Sequence, residues 1–384
     1  MKIVLAPDSF KESMSAAEAV AAMERGVRAA CAGRGMADPE VVGVPMADGG
    51  EGFTEVIAQA LDAQTRTVTV PDALGRDVDA AFAYDPDEGL AVLECAQAVG
   101  LQDVAHKDRD ILGSSTVGVG RLIAAALDAG AQRIVIGLGG SATNDAGAGM
   151  LTALGVRLLD ADDHDVEPVP ARFGDIARID ISGLDPRLAQ VTVEVASDVT
   201  NPLLGERGAS AVFGPQKGAS PEQVEQLDSA LAHFADVAGH SGEGGPASAP
   251  GAGAAGGLGY ALTAFCGATL RAGVEIVVEL TGLEGAVQGA DLVITGEGSI
   301  DAQTLSGKTP AGVAAVAARA GVPCLALAGR VGDGAEELYE HGFTAILPIV
   351  PGAMDLREAL ATGPDNLAQS TEAAVRLFTT SRDA

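Results

Sequence analysis

Four carboxylates stand at or shortly beyond the ends of predicted strands along this chain. They are Asp8, Asp48, Asp198 and Glu297. In open α/β sheets, ligands bind at the carboxyl ends of the strands. Phosphoryl transfer uses such groups, because carboxylates hold Mg²⁺ and one of them orients or deprotonates the attacking hydroxyl. Any single one could instead cap a helix, but the repeated placement favours catalytic chemistry.

Glycines cluster beside polar residues in the same kind of loop. Glycine makes up 51 of the 384 residues, about twice its typical share. The segment 137–149 (GLGGSATNDAGAG) follows a predicted strand at 133–136 and opens a predicted helix at 146–154. Glycine lets the backbone approach a phosphate and present its N–H groups. We therefore predict a phosphate cradle here, with a tight strand–helix turn built on structural glycines as the alternative.

Two further motifs are weaker. The segment 251–256 reads GxGxxG, but it follows no predicted strand, so it lacks the context of a dinucleotide fingerprint. Its alternative is a close-packed helix start. The segment 306–309 (SGKT) resembles the end of a P-loop, although Ala302 stands where the first glycine belongs. Lys308 in that segment, together with Lys11 and Lys217, belongs to a small set of five lysines. Lysine suits phosphate or carboxylate, but each could simply be solvated.

The pattern of elements predicts an α/β protein with a discontinuous domain. Strand–loop–helix units occur at the start of the chain and again towards its end, which indicates a parallel sheet. Residues 65–70 instead alternate with period two, and residues 77–84 and 90–94 are predicted to form further short strands with tight turns between them, which indicates an antiparallel or mixed sheet. The predicted domains are 1–64 with 285–384, and an inserted α/β domain at 65–284.

Composition excludes several classes of function. The net charge is −29 and there is no Trp, so neither phosphate attraction nor base stacking favours a nucleic-acid partner. No apolar run is long enough for a membrane span or a signal peptide, so we expect a cytoplasmic protein without a membrane partner. Scattered His and unpaired Cys residues predict buried thiols rather than a zinc site. The acidic excess fits either adaptation to high salt or a GC-rich genome.

Taken in order, the motifs closely resemble the bacterial type I glycerate kinase family (glycerate 2-kinase). The matching segments are 6–11, 45–52, 137–145, 198–203, 251–257, 290–298, 301, 303–304 and 307–308. One departure is Glu12, where we expect a small residue, usually Gly; a carboxylate there is expected to alter the loop around Lys11. The resemblance implies a Rossmann-like parallel-sheet domain and an inserted second α/β domain with a mixed sheet. It also implies an active site in the cleft between them.

The activity that the resemblance implies is phosphorylation of D-glycerate by ATP, with Mg²⁺, to give 2-phosphoglycerate. This is a phosphotransferase reaction with an alcohol acceptor, and its context is glyoxylate metabolism. The protein is expected to be a monomer or a homodimer. Three alternatives stay open: a 3-phosphoglycerate product, a non-catalytic glycerate-binding regulator, and a nicotinamide-dependent dehydrogenase. The last is supported only by the GxGxxG motif in its unsuitable context.

Roles follow for the residues of these motifs. The predicted catalytic residues are Asp48, Asp198, Lys217 and Lys308. The predicted substrate-binding residues are Asp8, Ser9, Lys11, Glu51 and Asn201. The predicted nucleotide-binding residues are Gly139, Gly140, Ser141, Thr143, Asn144, Asp145, Gly253, Gly256 and Gly257. The predicted Mg²⁺ ligands are Asp198, Glu297 and Asp301.

Overall fold

A computed structural model describes residues 1–33, 36–50, 52–242, 244–305 and 307–380. The chain divides into two compact units. Unit 1 consists of Met1–Asp48, Gln59–Leu61 and Val274–Ala384, and unit 2 consists of Gly49–Ala58 and Asp62–Gly273. Unit 1 is therefore assembled from both ends of the chain.

The strands and helices alternate along most of the chain. The strands are Lys2–Pro7 (β1), Glu40–Gly43 (β2), Gln64–Pro71 (β3), Asp77–Asp85 (β4), Leu90–Glu94 (β5), Arg133–Gly137 (β6), Arg157–Leu159 (β7), Arg178–Asp180 (β8), Thr192–Ala196 (β9), Thr269–Arg271 (β10), Leu292–Ile300 (β11), Cys324–Val331 (β12) and Phe343–Pro348 (β13). The helices are Ala16–Gly33 (α1), Phe53–Ala60 (α2), Ala96–Val99 (α3), Val117–Asp128 (α4), Ala148–Ala153 (α5), Ala209–Phe213 (α6), Pro221–His240 (α7), Leu258–Cys266 (α8), Gly273–Leu280 (α9), Leu283–Val287 (α10), Thr309–Arg319 (α11), Leu356–Ala361 (α12) and Gly363–Thr380 (α13).

Unit 1 is built on a five-stranded, fully parallel sheet in the order β13-β12-β11-β1-β2. Strand β1 is almost wholly buried and apolar, as expected for a parallel strand covered on both faces. Helices α1 and α13 pack against each other. Because β1 pairs with β11 in parallel, Pro7 lies beside Gly296. The residues that follow these two positions, Asp8 just after β1 and Glu297 within β11, therefore lie at the same level of the sheet.

Unit 2 contains a six-stranded mixed sheet in the order β10-β9-β6-β5-β4-β3. Strands β5, β6, β9 and β10 run parallel, whereas β3, β4 and β5 form an antiparallel meander. The three short strands predicted between residues 65 and 94 form this meander. The expected combination of one parallel and one mixed sheet in an α/β protein is confirmed.

A local sequence signal explains where helix α1 begins. Helix α1 starts with a capping box, in which the backbone N–H of Glu18 donates to Ser15 Oγ and that of Ser15 donates to Glu18 Oε2. The four cysteines are buried with free thiols. In the described part of the chain, no helix combines the length and apolarity needed to cross a membrane.

The unit boundaries differ from the domain boundaries read from the sequence. Residues 49–58 and 62–64 lie in unit 2, and residues 274–284 lie in unit 1. Backbone packing accounts for the place of residues 49–58 in unit 2, since a Cβ on Gly139 would lie 2.7 Å from the Cα of Gly50. Side-chain packing contributes to the place of residues 274–284 in unit 1, since Val274 at the start of α9 lies against Gly312 in α11.

Candidate active site

One group of polar residues, which we call the carboxylate cluster, lies in unit 1 and consists of Asp8, Asp48, Glu297 and Lys308. Asp8 follows β1 directly, and its backbone N–H donates to the Gly296 carbonyl at 2.8 Å. Glu297 lies one residue further along the neighbouring strand β11. The parallel register therefore brings two acids that are 289 positions apart to one sheet edge.

Asp8 is held on both carboxylate oxygens. Its Oδ2 accepts a hydrogen bond from the Thr309 hydroxyl at 2.5 Å, and its Oδ1 accepts one from the Ser9 backbone N–H at 2.6 Å. Asp8 is only 9% exposed. Burial, followed by the nearby charge of Asp48, raises the pKa of Asp8 to about 6, although the two hydrogen bonds oppose this rise.

Glu297 is held by two residues from the turn that precedes helix α11. Its Oε1 accepts hydrogen bonds from Thr304 Oγ1 at 3.3 Å and from Lys308 Nζ at 3.5 Å. Burial raises the pKa of Glu297 to about 7; Lys308 opposes this rise and Asp8 adds to it. Lys308 also donates to the Ser299 carbonyl at 3.2 Å, so its ammonium is anchored at the end of β11.

The remaining predicted residues of unit 1 differ in burial. Asp48 and Ser9 are half-buried, whereas Lys11 is exposed. Asp301 accepts the Gln303 backbone N–H at 2.9 Å and so caps the short 3-10 turn that follows it. Glu51, predicted to bind substrate, lies outside the described residues.

The second group, which we call the glycine-loop cluster, lies in unit 2 and consists of loop 137–147, loop 251–257 and Lys217. The two loops pack backbone to backbone: the Ala146 N–H donates to the Gly256 carbonyl at 3.0 Å. A Cβ on Gly256 would overlap the Thr143 carbonyl oxygen, and one on Gly257 would lie 2.6 Å from the Ala146 Cα. Both glycines have positive φ. Close packing, the alternative reading of the GxGxxG motif, therefore accounts for these glycines.

Lys217 is 3% exposed and reaches into the first of these loops. Its Nζ donates to the Thr143 carbonyl at 2.6 Å and to Ser141 Oγ at 2.9 Å. Burial lowers the pKa of Lys217 to about 8, against the opposing effects of Cys95 and Asp145. A bound anion would stabilise the charged form of this buried ammonium.

Asp145 serves the loop itself. One oxygen accepts the Thr116 N–H and hydroxyl at 2.7 and 2.8 Å together with the Gly149 N–H at 3.1 Å, while the other accepts the Gly147 N–H at 3.1 Å. Burial raises the pKa of Asp145 despite these bonds. The expected helix at 146–154 starts only at Ala148, because Ala146 and Gly147 both have positive φ. Its N-cap is Gly147, and none of Thr143, Asn144 and Asp145 takes that position.

Other predicted residues of unit 2 vary in exposure. Gly140 is exposed and Gly139 half-buried, whereas the loop from Ser141 to Gly147 is buried. Asn201 donates from Nδ2 to the Arg207 carbonyl at 2.8 Å and so shapes its own loop. Gly253 likewise donates its N–H to the Asn201 carbonyl at 2.9 Å. Asp198 is exposed beyond β9 and accepts the Gly273 N–H at 3.3 Å.

The side chains of the two clusters can be compared with the groups that a phosphate and a metal ion require. Within the glycine-loop cluster, Thr143 Oγ1 and Asn144 Oδ1 are buried without a hydrogen-bond partner, beside the carbonyl that Lys217 contacts. An unpartnered hydroxyl and a buried ammonium fit a phosphate group. In the carboxylate cluster, oxygen donors with raised pKa values fit a hard cation such as Mg²⁺.

Three or more side-chain ligands do not converge at the predicted metal residues. Among the described residues, the one such set with ligand atoms within 4.8 Å of one another is Asp160, Asp162 and His164, on a turn of unit 2. Glu297 and Asp301 are not members of it. Because Mg²⁺ commonly uses only one or two carboxylates together with phosphate oxygens, this does not remove the fit at Glu297.

Three threonines that contact the acids of the candidate site were not predicted from the sequence. Thr309 contacts Asp8, Thr304 contacts Glu297, and Thr116 contacts Asp145. Thr309 lies in the Gly-Lys-Thr run at 307–309, and Thr304 lies in the matching segment 303–304. Of the residues in these two segments, only Lys308 was predicted to take part in the reaction. For Thr116 the sequence offers no signal, because its partner is 29 residues away.

Comparison with known proteins gives a consistent assignment. The model of the glycerate kinase family matches residues 3–379. A glycerate kinase of Bacillus subtilis (strain 168) is 48% identical over 94% of this chain and 93% of its own. A glycerate 2-kinase of Escherichia coli (strain K12) is 44% identical over 97% and 96%.

Structural comparison agrees with these sequence matches. A crystal structure from Salmonella typhimurium LT2, of a protein assigned as glycerate kinase 2, superposes with a TM-score of 0.89 at 44% identity and covers 100% of both chains. Family membership, expected from the motifs, is thereby confirmed. The chain belongs to the glycerate kinase family and is a kinase.

Proposed function

We propose that this protein transfers a phosphoryl group from ATP to D-glycerate and releases 2-phosphoglycerate. The observation that carries the proposal is the carboxylate cluster, in which the buried Asp8 directly follows β1 and the half-buried Glu297 lies in the neighbouring parallel strand β11, in a chain of this family. The raised pKa values of Asp8 and Glu297, about 6 and 7, mark acids whose charged form a bound cation or hydrogen-bond donor would stabilise. We further propose that it acts in the cytoplasm as a monomer or homodimer.

Residues of unit 1 serve the acceptor in this proposal. The carboxylate of Asp48 orients the attacking hydroxyl and accepts its proton, since it is half-buried beside Asp8 and so keeps access to a ligand. Asp8 and Ser9 bind the other polar groups of glycerate, and the exposed ammonium of Lys11 pairs with its carboxylate. Lys308 neutralises charge that develops on the transferred group.

Residues of unit 2 serve the phosphoryl donor. Lys217 offers a buried ammonium, and Thr143 offers a hydroxyl that no protein group occupies. The exposed backbone at Gly140 provides an approach to this loop. Such a set lowers the barrier by fixing positive charge and hydrogen-bond donors before the reaction begins.

Mg²⁺ is the proposed metal cofactor, and it supplies charge neutralisation on the phosphate oxygens. Glu297 or Asp301 in unit 1 would hold it, with Asp198 in unit 2 as a further candidate ligand. Lys308 and Thr304 keep the Glu297 carboxylate in place through their hydrogen bonds at 3.5 and 3.3 Å.

An enolase-coupled assay with D-glycerate, ATP and Mg²⁺ tests this proposal. Run with and without phosphoglycerate mutase, it separates the two products. Signal without mutase supports 2-phosphoglycerate, whereas signal only with mutase identifies the 3-hydroxyl as the acceptor. No signal from folded protein over a series of salt concentrations, together with calorimetric binding of D-glycerate, would leave a non-catalytic binding protein.

A further inference from the structure

Two consecutive residues at the start of helix α11 contact both acids of the carboxylate cluster. Lys308, the N-cap, donates to Glu297 in β11, and Thr309, the next residue, donates to Asp8 directly after β1. One dipeptide therefore contributes to the orientation of both acids. Only the lysine has a proposed role in the reaction so far.

The Thr309 hydroxyl is well suited to fix Asp8. Thr309 is completely buried, so water does not compete for this bond. With the Ser9 N–H on Oδ1 and the Thr309 hydroxyl on Oδ2, both oxygens of Asp8 have a donor. A hydroxyl that donates to a carboxylate makes a charge-assisted bond, which is stronger than a neutral one. Thr309 also begins an 11-residue helix, whose N-terminal end favours negative charge.

The other charged groups around Asp8 act on it in known directions. Burial raises the pKa of Asp8 most, and the charge of Asp48 raises it further, so the bond from Thr309 works with the Ser9 N–H to keep Asp8 ionised. Asp8 in turn raises the pKa of Glu297, whose cationic partner is Lys308.

We propose that Thr309 is a positioning residue for glycerate phosphorylation, whose hydroxyl holds the Asp8 carboxylate in one orientation as an ionised acceptor. This rests on the proposed function, because it assigns Asp8 to the acceptor substrate. Thr309 itself need not contact that substrate.

Kinetics of three variants test the role. Thr309→Val keeps the shape and removes the donor, Thr309→Ser keeps the donor, and Thr295→Val is the matched control. Thr295 is also completely buried, and its hydroxyl donates at 2.8 Å to the carbonyl of Ala6 on β1, the strand that Asp8 follows. We expect Thr309→Val to lower kcat/KM for D-glycerate about 10- to 100-fold. The KM for ATP should not change, and Thr309→Ser and Thr295→Val should stay near wild type.

Two kinetic results would overturn the proposal. One is a folded Thr309→Val protein as active as Thr295→Val. The other is a Thr309→Ser protein as impaired as Thr309→Val, which would assign the effect to packing of the methyl group. Circular dichroism and thermal melting of each variant establish folding.

A second readout needs no substrate and so separates this inference from the proposed function. The carbon-13 carboxyl resonance of Asp8, assigned by its loss in Asp8→Asn, is titrated in wild type and variants without metal. Thr309→Val should raise the Asp8 pKa, and Thr295→Val should not. An unchanged pKa in Thr309→Val contradicts the inference even if the enzyme is active. A raised pKa in a protein that does not phosphorylate D-glycerate means that only the proposed substrate is wrong.

Discussion

The carboxylate cluster and the glycine-loop cluster are built from different parts of the chain. The carboxylate cluster of unit 1 relies on side chains, with acids at strand ends held by threonine and lysine donors. The glycine-loop cluster of unit 2 relies on backbone, with two loops so close that Gly256 and Gly257 leave no room for a Cβ. The first region should therefore respond mainly to changes of charge, and the second mainly to changes of shape.

Burial acts on both regions, with opposite consequences for charge. It raises the pKa of Asp8 and Glu297 and lowers that of Lys217, because a low dielectric disfavours the charged form of either sign. A cation would restore the charge of the acids, and an anion would restore that of the lysine. This difference matches the proposed acceptor and metal side in unit 1 and the phosphate side in unit 2.

The largest expected effect comes from a charge change in the carboxylate cluster. Asp48→Asn should lower kcat at least ~100-fold, because the amide cannot accept the proton of the attacking hydroxyl. Asp198→Asn, in unit 2, should cost about 10- to 100-fold if Asp198 only helps to hold the metal. Steady-state kinetics over a Mg²⁺ series distinguish them: excess Mg²⁺ should partly rescue Asp198→Asn alone. Near-normal turnover by Asp48→Asn would remove Asp48 from the mechanism.

A shape change in the glycine-loop cluster should follow in size. Gly256→Ala adds a Cβ against the Thr143 carbonyl at a positive φ, and we expect it to lower the free energy of unfolding by about 3 kcal/mol or more. Gly267→Ala is the control, because Gly267 has a similar φ but nothing within 4 Å of its Cβ position. That variant should cost only about 1 kcal/mol. Urea denaturation measures both, and equal losses would show that backbone conformation alone matters.

The pH dependence of stability should also separate the two regions. The pKa of Asp8 is raised from 3.8 to about 6, so its contribution is fully present below pH 4 and is lost as the pH rises through 6. Lys217 has a lowered pKa of about 8, so its contribution is present above its unfolded pKa near 10.5 and is lost as the pH falls through 8.

Two variants test these opposite slopes. Asp8→Asn should flatten the loss of stability between pH 4 and 7 by on the order of 2 kcal/mol. Lys217→Met should instead flatten the gain between pH 8 and 10. Urea midpoints at several pH values measure both, and a Lys217→Met profile that parallels wild type above pH 8 would contradict the buried, shifted lysine.

The sequence predicted the fold better than it predicted the site. Strands such as β6 and the β3–β4 hairpin were placed within a residue or two, because period-two alternation and apolar runs are local signals. The helix expected from Ala146 starts only at Ala148, because Ala146 has φ 51°. Such a conformation is imposed by packing against loop 251–257 and cannot be read from an alanine.

Site residues were predictable as types but not as contacts. The repeated acids at strand ends pointed to Asp8 and Glu297, which the parallel register does bring to one edge. The bond from Thr309 to Asp8 spans 301 positions, and no periodicity encodes a pairing of that separation. Asp145 was predicted to bind nucleotide, and that role stays a prediction; the contacts that its oxygens make with the N–H groups of Thr116, Gly147 and Gly149 were not predicted.

The smallest expected effect concerns Glu12 in unit 1 and Ala255 in unit 2, two residues with positive φ that are not glycine. Glu12 has φ 62° in the loop after Asp8, and Ala255 has φ 50° in loop 251–257. Replacement by glycine removes a strain of roughly 1–2 kcal/mol but adds unfolded-state entropy, so Glu12→Gly and Ala255→Gly should each stabilise by about 0.5–1 kcal/mol. Glu12→Gln controls for charge, and urea midpoints measure all three. Stabilisation of Glu12→Gln equal to that of Glu12→Gly would assign the effect to repulsion among acids rather than to backbone strain, and would make unit 1 sensitive to charge even in its turns.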